Sequence, residues 1–140
     1  ALLVLDVDHF KDVNDNYGHD AGDEALKLIV KSIRSTLREV DLVGRMGGEE
    51  FSVFLPGIPP DRAFIVAERI RKTVKAAKFC PAGTPYNLSI SIGGVTYVRS
   101  TSFLELFKLA DKRLYDAKRN GRNRVEICQL TSSSQLTAAH

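Results

Sequence analysis

Cysteine is scarce in this chain of 140 residues. The two present, Cys80 and Cys128, lie far apart and in no metal-binding spacing. That excludes a zinc finger, a zinc ribbon or a disulfide framework. Isolated thiols in an ordinary domain fit structural roles in a reducing cytoplasm. Also missing is any run of about 18 apolar residues, so no transmembrane helix is expected. Neither sign of charge prevails: the net charge is +3. A mildly basic balance suits an anionic small ligand as well as nucleic acid. The lysines and arginines are spread over several helical segments rather than set in one stripe, so no nucleic-acid partner is expected. There is no internal repeat, no signal peptide and no leading methionine before Ala1. An excised domain with parts upstream is therefore expected. What is present is globular: 44% hydrophobic and 26% charged residues, enough for one domain with a real core.

The chain is organised around Gly47, Gly48, Glu49, Glu50 and Phe51. Strand-like runs at 40–46 and 51–55 flank the glycine pair and predict a β-hairpin, because glycine takes positive φ without steric cost. Two adjacent carboxylates at the mouth of such a turn, beside a bare backbone, are unusual. Adjacent strand residues point apart, which gives Glu49 and Glu50 different tasks. Residues 1–7 form a continuous apolar run broken by Asp6, the mark of a central strand buried on both faces. Asp6 and Asp8 share one face at its end, and buried carboxylates there need a cationic partner.

Residues 9–23 are polar and rich in turn formers, with a short helical turn expected at 10–14. An amphipathic helix follows at 21–38, with Leu26, Ile29, Val30, Ile33 and Leu37 on its buried stripe. Pro59, Pro60 and Asp61 open a second helix and residues 79–86 form a loop. Residues 88–98 alternate as a strand, in which Gly93-Gly94 marks a bulge or a close backbone approach. Ser102 and Glu105 make a capping box for a helix that stops at Gly121. Residues 124–130 read as a last, edge-like strand and 131–140 as a frayed, flexible tail. The order strand, helix, hairpin, helix, strand, helix, strand predicts an α/β sandwich with a mixed, mainly antiparallel sheet flanked by helices.

If the first strand lies beside the hairpin, Asp6 can meet Glu49 or Glu50. Converging carboxylates suit Mg²⁺, which takes hard oxygens and shares them with substrate phosphates. Lys118 and Arg122, four apart, can face an anion together. Taken alone, these residues point to Mg²⁺-dependent phosphoryl or nucleotidyl transfer.

Gly47-Gly48-Glu49-Glu50-Phe51 resembles the signature of the diguanylate cyclase (GGDEF) family in its Glu variant. The blocks at 5–11, 13–15, 18–23, 91–93, 110–118 and 121–123 match the family's other motifs in order. The resemblance covers residues 1 to about 127 and implies a domain of the nucleotidyl cyclase, palm-like type occupying residues 1–130. The family's N-terminal block is absent before Ala1, and Gly94 replaces a more usual apolar residue. The implied activity is condensation of two GTP into cyclic di-GMP with release of pyrophosphate. Asp6, the carbonyl of Val7 and Glu49, supported by Glu50, would hold Mg²⁺ or Mn²⁺. Glu49, Glu50 and Lys11 would be catalytic, with Glu49 helping to deprotonate the 3′-hydroxyl. Asn14 and Asp23 would read guanine, with His19 nearby and Gly47 and Gly48 packed on the nucleotide. Lys11, Lys118 and Arg122 would contact phosphates. Arg38 and Asp41, an Arg-x-x-Asp pair with five residues between Asp41 and Gly47, match the family's inhibitory product site, and Arg69 a further contributor. A homodimer, a cytoplasmic location and an upstream sensory or membrane domain are implied as well. The alternatives are a non-catalytic nucleotide-binding module and a different nucleotidyl cyclase or palm enzyme; Asn14 with Asp23 favours guanine.

Overall fold

Strand β1 (Leu2–Val7) is the centre of the molecule, and every one of its residues is buried. A computed structural model describes residues 1–130 and the backbone of 136–138. The elements after β1 are α1 (Phe10–Tyr17), α2 (His19–Thr36), β2 (Leu42–Gly47), β3 (Glu50–Phe54), α3 (Pro60–Ala76), β4 (Ile90–Tyr97), α4 (Phe103–Arg119), β5 (Val125–Leu130) and β6 (Leu136–Ala138). They build one sheet in the order β2-β3-β1-β4-β5-β6. All neighbours pair antiparallel except β4 and β5, which are parallel. The sheet is thus mixed and mainly antiparallel, as its sequence predicts.

Alternation along β1 sorts the core into two layers. Leu3, Leu5 and Val7 pack with α2 and α3 residues such as Ile29, Ile33, Ile70 and Val74. Leu2 and Val4 face the other way, onto Leu106, Ala110 and Leu114 of α4. Each fully buried Leu or Val of β1 contributes about 1.5–3 kcal/mol, so this strand anchors both layers. Gly93 of β4 is where α4 comes closest. A Cβ there would fall 2.0 Å from Leu114 N and 2.3 Å from Ala110 O. The glycine pair is a close approach, as one of the two sequence readings has it.

Several expectations are corrected. Residues 9–23 are helical over most of their length, since α1 runs through Tyr17 and α2 begins at His19. Gly18, at φ 89°, makes the break between them. Phe10 and Val13 anchor α1 in the core, which its polar composition hides. Helix α2 ends at Thr36, and Leu37 is extended, so Arg38 lies outside it. Strand β5, expected at the edge, is no edge, because β6 pairs with it. That strand falls inside the expected tail; residues 131–135 and 139–140 lie outside the described residues. Cys128 is buried as expected, but Cys80 is exposed.

Candidate active site

The carboxylates gather where β1 ends. Asp6 stands directly across from Glu50 on one side and Ser91 on the other. Directly opposed residues of antiparallel strands share a face, here the face toward α4. Lys118, in the last turn of α4, donates from Nζ to Asp6 Oδ2. Burial pushes the Asp6 carboxyl above its ordinary value; Lys118 opposes that shift, and the charges of Glu49 and Asp8 add to it. Glu50 is raised by burial and then by Asp111 and Asp6. Asp6 and Glu50 thus each feel other carboxylates, with Lys118 opposing the shift of both. Asp111 was not foreseen, although it precedes Lys118 by two helical turns, a spacing that puts both on one face.

Glu49 occupies the hairpin turn, and its position is fixed by backbone. Its carbonyl accepts from Val7 N–H at 3.2 Å. Gly47 and Gly48 take φ of 146° and 52°, and a β-bulge separates Arg45 from Gly47. Arg45 Nε donates to the Gly48 carbonyl at 2.9 Å. The two glutamates are not neighbours on one strand: Glu50 is Asp6's partner within the sheet, and Glu49 sits in the turn before it.

These donors suit a divalent cation chemically. They are hard oxygens whose ionisation is opposed first by burial and then by neighbouring carboxylates, and a bound cation offsets both. Among the described residues no three His, Cys, Asp or Glu side chains are grouped closely enough to hold a metal ion by themselves. Mg²⁺ needs no such group, since it is usually held by one or two carboxylates plus substrate phosphates.

Asp8 shares the Asp6 face and is itself buried. It accepts from Ser89 Oγ and Ser91 Oγ, each at 2.6 Å, and from Asn123 N–H at 3.0 Å. Its last partner belongs to the turn after α4. There Arg122 N–H reaches the Ala117 carbonyl and Gly121 N–H the Lys118 carbonyl, a Schellman motif that ends the helix. Lys118 and Arg122 are therefore not four apart on one helix, the spacing by which the sequence joins them. Lys118 is in the helix on Asp6, whereas Arg122 is beyond it, exposed, at φ 64°.

The other expected nucleotide contacts lie around α1 and α2. Asn14 packs against Gly22, where an added Cβ would fall 1.9 Å from its Oδ1. The missing side chain at Gly22 brings Asn14 up to the residue before Asp23. Asp23 lines a cavity of about 470 Å³ with Leu26, Lys27, Val30, Arg45 and Phe51. Arg45 is another residue missed; its register partner Phe51 faces α2, which puts Arg45 on the same face. Lys11 in α1 and His19 at the start of α2 are both exposed.

Arg38 and Asp41 form a separate unit. Arg38 donates to Asp41 from Nη2 at 2.7 Å, from Nε and from its backbone N–H, and Nη2 also reaches the Pro56 carbonyl. Burial would raise the Asp41 carboxyl, but these bonds and the Arg38 charge hold it below its ordinary value. Arg38, Asp41 and Arg69 line one cavity of about 440 Å³, and Arg62 joins them. Arg62 was not foreseen, though it lies two turns before Arg69 on α3. A groove of about 900 Å³ runs along α3 and is lined by none of the carboxylates at the end of β1.

A family model for the diguanylate cyclase GGDEF domain matches residues 1–124. The chain belongs to the GGDEF family. This GGDEF domain is 44% identical over 128 residues to diguanylate cyclase A of Treponema denticola, covering 91% of the chain and 34% of that protein. It is 46% identical over 125 residues to diguanylate cyclase DgcM of Escherichia coli, covering 89% of the chain and 30% of that protein. The chain thus spans about a third of the length of these relatives. Among solved structures it resembles the active GGEEF domain of a diguanylate cyclase from Vibrio cholerae, with TM-score 0.82 and 34% identity over 90% of the chain and 80% of that one. The GGDEF domain of DgcB from Caulobacter crescentus, in complex with c-di-GMP, gives TM-score 0.83 and 31% identity over 90% and 75%. Among the described residues no helix of this GGDEF domain is long and apolar enough to cross a membrane.

Proposed function

We propose that this domain is a diguanylate cyclase, joining two GTP into cyclic di-GMP and releasing pyrophosphate. The observation that carries the reading is the meeting of Asp6, Glu49, Glu50 and Lys118 where β1 ends beside the hairpin. Asp6, the Val7 carbonyl, Glu49 and Glu50 are the residues to hold Mg²⁺ or Mn²⁺. Such an ion supplies charge neutralisation at the α-phosphate. Glu49, at the turn tip, accepts the proton of the attacking 3′-hydroxyl. Asn14 and Asp23 recognise guanine beside the glycine pair, with His19 close by. Lys11, Lys118 and Arg122 hold the phosphates as attack proceeds in line on the α-phosphorus. Each domain holds one GTP and the product contains two, so turnover takes a homodimer. A cytoplasmic setting supplies GTP, and a sensory or membrane domain elsewhere in the protein governs pairing.

The test is incubation of the purified protein with GTP and Mg²⁺, followed by nucleotide chromatography. Cyclic di-GMP is the expected product. Nucleotide binding without turnover in a dimeric sample would instead favour a binding module. Metal affinity should also follow pH. Asp6 and Glu50 have raised pKa values, so they protonate before ordinary carboxylates do as pH falls. Mg²⁺ affinity is therefore expected to drop between neutral and mildly acid buffer. A flat calorimetric affinity over that range would remove these two residues from the metal site.

Arg38, Asp41 and Arg69 are the residues for inhibition by product. Arg38 and Arg69 share one cavity, and a guanidinium binds phosphate or guanine through two bonds. Arg38→Ala is expected to keep turnover and to weaken inhibition by cyclic di-GMP at least about tenfold, the loss of a charged hydrogen bond. Undiminished inhibition in that variant would place the product elsewhere.

A further inference from the structure

We infer that Asp8 and Arg71 are positioning residues that clamp the turn at 121–123 and so aim Arg122 at the triphosphate. This rests on the reading of the chain as a GTP-using cyclase. The turn is held from two layers of the fold. From β1, Asp8 Oδ2 accepts the backbone N–H of Asn123. From α3, Arg71 Nη1 donates to the Asn123 side-chain oxygen at 3.1 Å. Arg71 is itself held by a two-bond pair with Glu68, at 2.9 and 2.8 Å. Helix α3 packs on the sheet face opposite α4, so the two grips come from different sides of the sheet.

The turn has an uncommon backbone. Three successive residues take positive φ: Gly121 at 122°, Arg122 at 64° and Asn123 at 45°. Glycine and asparagine tolerate the left-handed region, but a long side chain such as arginine rarely enters it. Glycine at 122 would close the same turn without strain. An arginine kept there by tertiary bonds is strain held at a fixed place, as at ligand-binding loops. The backbone around it is tied at each end: Arg122 N–H to the Ala117 carbonyl, and its own carbonyl to Arg124 Nε at 3.2 Å. Its side chain is exposed. Asp8 also links this turn to Ser91, the partner of Asp6, so the clamp sets Arg122 relative to the carboxylates.

The experiment compares the wild-type protein with Arg71→Met, Arg71→Met/Asn123→Gly and Asp8→Asn. The probes are a non-hydrolysable GTP analogue and guanosine in calorimetry, GTP in turnover, and amide exchange at Arg122 and Asn123. In Arg71→Met, analogue affinity is expected to fall about tenfold and the KM for GTP to rise alike, the loss of one charged hydrogen bond's worth of alignment. Guanosine affinity and kcat should change far less, and amide exchange at the turn should quicken. Asn123→Gly suits the left-handed backbone and keeps the N–H for Asp8, so in the double variant it should restore most of the analogue affinity. Asp8→Asn should lose analogue affinity in the same selective way. Unchanged analogue affinity in Arg71→Met, or an equal loss for guanosine, would overturn the clamp. A wild type that binds the analogue but makes no cyclic di-GMP would instead overturn the cyclase reading. A wild type that binds neither would end both.

Discussion

Replacing Glu49 by Gln is expected to cut cyclic di-GMP formation at least about a thousandfold, within the range for loss of a general base. The same change should leave the thermal transition in place or raise it slightly. The hairpin is held by backbone: the β2–β3 ladder, the Arg45 bond to the Gly48 carbonyl, and the bond from Val7 N–H to the Glu49 carbonyl. All of these survive the substitution. Glutamine keeps the size of the side chain and removes only its charge. That charge helps to raise the pKa of Asp6 and of Glu50, so its removal moves both back toward ordinary carboxylates. For an acid with a raised folded-state pKa, ionisation costs stability as pH rises through the unfolded and then the folded value. Easing that shift therefore favours the fold at neutral pH. Turnover and stability part company, which separates a chemical role from a structural one. Retention of more than about a tenth of wild-type turnover would take Glu49 out of the chemistry.

The second large effect concerns the fold. Gly93→Ala should lower stability by about 3 kcal/mol, the upper part of the range for overpacking, and Gly93→Val should prevent folding. The reason is the identity of the atoms met: Leu114 N, Ala110 O and Leu114 Cα at 2.0, 2.3 and 2.5 Å. These are helix backbone, and they yield only if α4 moves off the sheet. Such a shift would carry Lys118 away from Asp6. Gly94 offers a control, because its nearest neighbour is the flexible tip of Leu3 at 2.6 Å. Gly94→Ala should cost clearly less. For a domain of this size 3 kcal/mol corresponds to a drop in Tm of roughly 10 °C, readily seen by calorimetry. Equal effects at the two glycines would mean that α4 is not seated as described.

Elements with a strong local signature were legible. The buried β1, the hairpin, the cap at Ser102, whose Oγ accepts from Glu105 N–H, and the stop at Gly121 all follow from short-range patterns. Helix α1 was legible only in part. It has eight residues and Val13 as its single fully buried one, so its stability comes from docking on α2 rather than from its own periodicity. Strand β6 has three residues, too few to show an alternation. Within the site, Asp6 and the glutamates stand out because carboxylates beside buried strands and bare turns are costly. Asp111, Arg45 and Arg62 lie on ordinary helix and strand surfaces, and their importance depends on what faces them. The Asp8 bond to Asn123 spans 115 positions, a distance that no local pattern bridges.

The central place of β1 has a consequence for how the chain reaches this state. Leu5 pairs with Phe51 on one side and Ile92 on the other, so both partners emerge long after it during synthesis. Until then an apolar hexapeptide with both edges open is exposed, the kind of segment that aggregates or recruits chaperones. Non-local pairing of this sort slows folding, since the loop must close before any contact rewards it. Asp6 is also the one charge that interrupts the run. A charge placed inside such a run is the kind of residue that limits aggregation of a nascent chain.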